Sequence, residues 1–340
     1  MSRSTGAGRD AARVAVPGPW PRRLALWTFL AALPLVVFGG SVTTLRAGMA
    51  IDGWWVLEPG RGDYFLLAYP LESWLRDPGT FVEHTHRLFG VLVGILAILC
   101  AALVWLRDRR KLARGLALGA LIAVCVQGAL GGLRVLENSS DLAFVHGALA
   151  QAVLAVLGAN ALVHSAAWRS FAGEQSPDAG PLRRAALAAL FATYAEIVVG
   201  AWLRHSGSKA ALTLHVVLVV AVLVAVLSLA SRLEAVARGG GGAGVDHSPL
   251  RRARVNLVRL LAIQIALGFL AALSVFVISG GFTARVSPAE MVFATLHVLF
   301  GALLLVACGS ALLWSHRLRA GERAAVAAPG SGSAALGGAR

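Results

Sequence analysis

The run Glu83-His84-Thr85-His86-Arg87, followed by Leu88-Phe89-Gly90-Val91-Leu92-Val93-Gly94-Ile95-Leu96-Ala97-Ile98-Leu99-Cys100-Ala101-Ala102-Leu103-Val104-Trp105-Leu106, decides the fold class. The apolar stretch 88–106 is long enough to cross the roughly 30 Å hydrocarbon layer of a bilayer as one helix. A cluster of ionisable side chains stands at its entrance. Seven more runs of this kind follow the same rule, at 24–44, 115–133, 142–163, 185–203, 211–230, 260–278 and 291–314. The pattern predicts an all-α integral membrane protein of eight transmembrane helices. It does not show the alternating strands of about 10 residues that an outer-membrane barrel would need. Composition agrees: 57% of residues are hydrophobic, 14% are charged and the mean hydropathy is +0.72, too little charge to clothe a soluble domain of 340 residues.

The net charge of +14 raises nucleic acid as a partner, but its distribution points to the lipid bilayer instead. Of 31 Lys and Arg, 23 fall before span 1, between spans 2 and 3, 4 and 5, 6 and 7, and after span 8. The positive-inside rule then predicts both termini in the cytoplasm. Span 1 reads as a retained anchor with no cleavable leader, and Pro34 within it is tolerable in a membrane helix. Cys100, Cys125 and Cys308 all lie inside spans and read as small buried apolar residues rather than disulfide partners. Residues 1–23, the linker 236–248 and the tail from 317 to 340 are Gly-, Ala- and Arg-rich, and are expected to be unstructured.

The spans also repeat. Arg134 stands twelve residues before His146, and Arg285 twelve before His297; Ala143 and Ala294 both precede the histidine by three. This predicts two four-helix bundles, 24–166 and 185–316, related as parallel repeats by an axis along the membrane normal. They differ in one loop. After span 1 it runs from 45 to 82 and carries Trp54, Trp55, Tyr64, Phe65, Tyr69 and Trp74; after span 5 it is only about 204–210. The aromatics read either as an interfacial belt or as a lid over a site in the first bundle.

Nine histidines are present. His164, His247 and His316 fall at cytoplasmic ends. His86, His146, His215 and His297 fall near the starts of the four even-numbered spans, at one depth toward the outer face. Ionisable groups inside membrane helices are expensive and mark function. Two imidazoles on co-directional helices of a four-helix bundle make a bis-axial cage for heme iron. Zinc fits less well, because no third ligand converges in the second bundle. Glu83 shares a helix face with His86, as either a first-turn acid suited to the helix dipole or a carboxylate that moves protons beside a heme. Arg134 and Arg285 suit heme propionates or snorkel to the interface. Gln127, Gln151 and Gln264 read as helix-to-helix glue. Glu196, midway along span 5, needs a partner that the sequence does not name.

Glu83-His84-Thr85-His86-Arg87 resembles the Glu-x-x-His-Arg motif of the heme A synthase family. Gln127-Gly128-Ala129-Leu130-Gly131-Gly132-Leu133-Arg134 leading to His146 is similar to its helix 3–4 motif, and Gly200 through Ser208 to its helix 5 exit. The resemblance covers about residues 24–316. It implies oxidation of a ring methyl of heme O to the formyl group of heme A, for cytochrome oxidase. It implies substrate heme on His86 and His146 with Glu83 catalytic beside them, and a resident heme b on His215 and His297. It also implies a bacterial plasma membrane location, with a heme O synthase and cytochrome oxidase assembly factors as partners, and allows a homo-oligomer. Three departures stand out. Loop 45–82 lacks the cysteine pair of many relatives, which removes a thiol relay. Thr43-Thr44 replace a common Arg, and the stretch after His205 lacks the longer segment that would cover the second bundle. A bis-histidine b-type cytochrome serving only electron transfer remains the alternative; Glu83 and a long loop on one bundle alone favour the enzyme. A transporter would place polar breaks at the midplane, whereas here they cluster at the outer ends.

Overall fold

A computed structural model of the protein describes residues 18–171, 173, 175–239, 247–282 and 285–320. Eight helices long and apolar enough to cross a membrane are present among them: α1 (Pro19–Thr44), α2 (Pro78–Arg107), α3 (Lys111–Leu136), α4 (Ser140–His164), α5 (Ala179–Ser206), α6 (Lys209–Gly239), α7 (Ser248–Ile278) and α8 (Pro288–His316). The last turn of α7, Ser274–Ile278, is a π-helix.

The helices extend beyond the apolar runs that reveal them, because capped polar turns continue each one. α2 begins eight residues before His86, where Asp77 accepts from the Thr80 amide at 2.9 Å and Pro78 occupies the first turn. His86 therefore lies in the third turn of its helix rather than at its start. Residues 19–23 are likewise helical, and α6 continues through 236–239, both within stretches expected to be unstructured. Ser248 opens α7 and Arg319–Ala320 pairs in parallel with Gln175–Ser176, again within those stretches, while 1–17, 240–246 and 321–340 lie outside the described residues.

Consecutive helices pack most extensively as α1 on α2, α3 on α4, α5 on α6 and α7 on α8. α2 also meets α3, and α1 meets α4; α6 meets α7, and α5 meets α8. Each set of four thus closes on itself, and the two sets touch chiefly through α1 and α4 against α8, with α4 also against α5. Cys100 and Cys308 are buried as expected, but Cys125 is exposed on the helix surface.

Loop 45–82 folds over the end of α1–α4 that carries the histidines. Val56–Leu57 pairs antiparallel with Tyr64–Phe65, and a short helix follows at Leu71–Trp74. Ile51, Leu57 and Tyr69 form its buried core. Burial raises the Tyr69 phenol to about 12, assisted by its hydrogen bond to the Glu58 carboxylate. Phe65, Leu67, Leu71 and Leu75 point outward, an apolar row suited to the bilayer interface.

Candidate heme site

The four histidines on the even-numbered helices meet as two pairs with nearly the same geometry. His86 and His146 have ring centroids 6.3 Å apart at an interplanar angle of 86°. For His215 and His297 the values are 6.2 Å and 83°. Two imidazoles on opposite sides of one metal ion, with bonds of about 2 Å to the metal and ring radii of about 1.15 Å, place their centroids about 6.3 Å apart. Both centroid distances match that spacing.

Each ring is received by a glycine on the preceding helix. A Cβ built on Gly39 of α1 would come within 2.8 Å of His86 Cε1; on Gly131 of α3 within 2.9 Å of His146 Cε1; on Gly200 of α5 within 3.0 Å of His215 Cε1; and on Gly268 of α7 within 3.0 Å of His297 Cε1. Only a residue without a side chain leaves room for the imidazole, as small residues do wherever membrane helices approach closely. Gly90, one turn after His86, and Gly94 have nothing within 4 Å of the Cβ position, leaving that stretch of α2 open to a bulky planar group.

The residue four before each glycine supplies the next contact. Leu35 O lies 3.0 Å from His86 Nδ1, so Nδ1 donates and Nε2 keeps its lone pair for a metal. Gln127 Nε2 lies 3.0 Å from His146 Nδ1 and donates to the His146 carbonyl at 2.8 Å. Glu196 Oε1 stands 2.9 Å from His215 Nδ1. This approach has ion-pair distance but not hydrogen-bond alignment, so neither Glu196 oxygen has a hydrogen-bonded partner among the described residues. Gln264 Nε2 sits 3.4 Å from His297 Nε2, a marginal contact. Among the described residues no three His, Cys, Asp or Glu side chains converge as a metal cluster.

The candidate acid and arginines divide. Glu83 is 1% exposed, and both its oxygens are engaged: Oε1 accepts from Arg87 at 2.7 Å and Oε2 from the Ile51 amide at 3.0 Å. Arg87 also donates to the carbonyls of Gly53 and Ile51. The pair therefore clamps loop 45–82 onto α2. Arg134 donates to the Gly48 carbonyl of the same loop at 2.9 Å, and Trp54 lies on the backbone of α3 at Gly132. Arg285, twelve residues before His297 by count, is exposed and forms no hydrogen bond or ion pair among the described residues. The glycines explain the difference. His146 follows Gly131 by 15 residues and His297 follows Gly268 by 29, so Arg285 falls within the longer α7–α8 connection and is not the counterpart of Arg134. Arg204 instead bonds the Gly40 carbonyl at 2.7 Å and the Thr44 hydroxyl, tying α5 to α1.

His84 is buried against Tyr69 and Trp74, and His205 stands edge-on to Phe144. His164 contacts the Asn160 carbonyl at 2.8 Å and lies 3.8 Å from Asp108. Asp108, fully buried between α2 and α3, is held below the usual carboxylate range: burial alone would raise it, and the Arg110 guanidinium and amide outweigh that.

Residues 76–213 match the COX15-CtaA family model, described as cytochrome oxidase assembly protein. The chain is 32% identical over 122 residues to a heme A synthase of Shouchella clausii, covering 36% of this chain and 38% of the relative. It is 33% identical over 140 residues to a heme A synthase of Chelativorans sp., covering 39% of this chain and 37% of the relative. Over residues 76–213 the chain is thus similar to the heme A synthase family. The chain spans under two-fifths of the length of these curated relatives. The matched family segment takes in Glu83, His86, Gly131, Arg134 and His146 and stops short of His215. The reading of the first histidine pair therefore rests on likeness and geometry together; that of the second rests on geometry.

Proposed function

We propose that the protein oxidises a ring methyl of heme O to the formyl group of heme A. The observation that carries this reading is the pair of matched histidine couples, each spaced for one iron, with a folded loop over only one of them. The termini lie on the cytoplasmic side of a bacterial plasma membrane, and the two sets of four helices are repeats of one unit. His86 and His146 hold the substrate heme beneath loop 45–82, while His215 and His297 hold a resident heme b. Bound heme supplies one-electron iron chemistry.

The chain's own groups do the rest. Methyl to formyl is a four-electron oxidation: counted with water as the oxygen source it releases four protons and four electrons, and an oxidant outside the chain takes up the electrons. Glu83, three residues before His86, is fixed by Arg87 and the Ile51 amide, so its negative charge is held in place to stabilise positive charge that develops nearby. The loop above it excludes water from the first pair. A heme O synthase that hands over substrate, cytochrome oxidase assembly factors that receive product, and a homo-oligomer are compatible with this role. The pure electron carrier has no use for Glu83 or for a lid on one pair alone.

The test is co-expression with a source of heme O, followed by purification and extraction of pigment. The expected result is heme b together with heme O or heme A. Glu83→Gln, which retains an acceptor for the Ile51 amide, stops heme A formation while heme b stays bound. Extraction of heme b alone from the unaltered protein defeats the enzyme reading.

A further inference from the structure

Three of the four odd-numbered helices place a polar side chain four residues before the cradle glycine: Gln127 before Gly131, Glu196 before Gly200 and Gln264 before Gly268. α1 has Leu35 there and uses its backbone carbonyl instead. The four positions thus differ in chemistry, and only one is a carboxylate; three of them face Nδ1 of their histidine, whereas Gln264 approaches Nε2 of His297 at 3.4 Å. Glu196 is also the one acidic side chain in the middle of a span, where a charge is costly unless it has work to do. Its carboxylate is only 13% exposed, and His215 Nδ1 stands 2.9 Å from it.

We infer that Glu196 is a positioning residue for His215, holding the Nδ1 side of the ring and making His215 a stronger electron donor than a neutral partner would. The inference rests on the heme reading of the second pair. A carboxylate facing the outer nitrogen of a ligating imidazole fixes ring orientation and tautomer and raises ligand basicity. A more basic axial ligand stabilises ferric over ferrous iron, so heme held by His215 and His297 is poised at a lower potential than with an amide at position 196. Neither histidine of the first pair has such a partner: Leu35 and Gln127 are neutral. Glu196 therefore separates the two pairs electronically, where centroid distance and ring angle leave them alike.

The test is a redox titration of the purified full-length protein, followed by heme absorbance between dithionite and ferricyanide. The component that disappears in His215→Ala belongs to the second pair. Glu196→Gln keeps the shape of the side chain and is expected to leave heme content unchanged. It shifts the second-pair component to more positive potential by about tenfold in the ferric-to-ferrous ratio, about 59 mV for one electron. Glu196→Asp, which restores a carboxylate, shifts it less, and the first-pair component does not move in either variant. An unmoved second-pair component in Glu196→Gln overturns the inference, as do equal shifts in both components. Loss of the second heme in both variants also overturns it, by reducing Glu196 to a folding role. Absence of any His215-dependent component defeats the heme reading of that pair, an outcome distinct from heme that is present but insensitive to Glu196.

Discussion

The first and last four helices hold their histidines in one way and surround them in two. Centroid distances of 6.3 and 6.2 Å and near-perpendicular rings recur, and so do the glycine cradles. Above the first pair sits a folded loop held by Arg87, Arg134 and Trp54. Among the described residues, the second has beyond it the short Gly207–Ser208 link between α5 and α6 and the connection from α7 to α8. What recurs is the geometry a ligand set must keep, and what differs is access and electrostatics. On the proposed reading, those differences are where reaction would be separated from storage.

The largest break in this comparison comes from the ligands. His146→Ala and His297→Ala are each expected to remove one heme completely and leave the other, as counted by the pyridine hemochrome of purified protein. Loss of both hemes in either variant would show that the pairs are not independent. Next comes the clamp. Arg87 and Glu83 are both nearly fully buried, and removing one partner of such a pair costs about 3–5 kcal/mol. Arg87→Ala should free loop 45–82 to trypsin at Arg61 and Arg76 and empty the first pair, with the second heme retained. Uncut loop and full occupancy would mean that the clamp is dispensable.

The cradles give a smaller and subtler effect. Alanine is better than glycine inside a helix by about 0.5–1 kcal/mol, so Gly131→Ala and Gly268→Ala should not lower the helical melting point. Each nonetheless pushes a methyl group against an imidazole, and should reduce heme occupancy of its own pair several-fold. Gly128→Ala, where the Cβ position meets nothing within 4 Å, should leave occupancy unchanged. Equal behaviour of Gly128→Ala and Gly131→Ala would remove the cradle from the account.

Much of this was legible in the residues. Eight apolar runs gave eight helices, because length and hydropathy alone decide that a segment can cross a bilayer. The four histidines stood out because ionisable groups are rare in such runs. Helix starts were misjudged because Glu83–Arg87 are polar, and an apolar run cannot reveal a capped, buried polar turn. The equation of Arg285 with Arg134 failed because counting back from histidine crosses a loop of variable length, whereas counting within a helix does not. The cradle was within reach: Gln127–Gly131, Glu196–Gly200 and Gln264–Gly268 share one spacing. Leu35 at the matching place on α1 hides it, since a backbone carbonyl carries no sequence signal.

The smallest expected difference lies at the starts of the histidine helices. α2 begins under Asp77, whose carboxylate accepts from both the Thr80 amide at 2.9 Å and the Thr80 hydroxyl at 2.8 Å. α6, its counterpart by position, begins with Ser208 at a looser 3.4 Å from the Ala211 amide. Removing an N-cap costs about 1 kcal/mol, so Asp77→Ala should lower the melting temperature in detergent by a few degrees, and Ser208→Ala by less. The Thr80 amide and hydroxyl hold the Asp77 carboxyl below its ordinary value of 3.8. A depressed carboxyl stabilises the fold above that value and loses its contribution as pH falls through the lower, folded-state value. The gap between Asp77→Ala and the unaltered protein should therefore be full at neutral pH and close only below about pH 4. A gap that persists into stronger acid would mean that Asp77 acts through packing rather than through its charge.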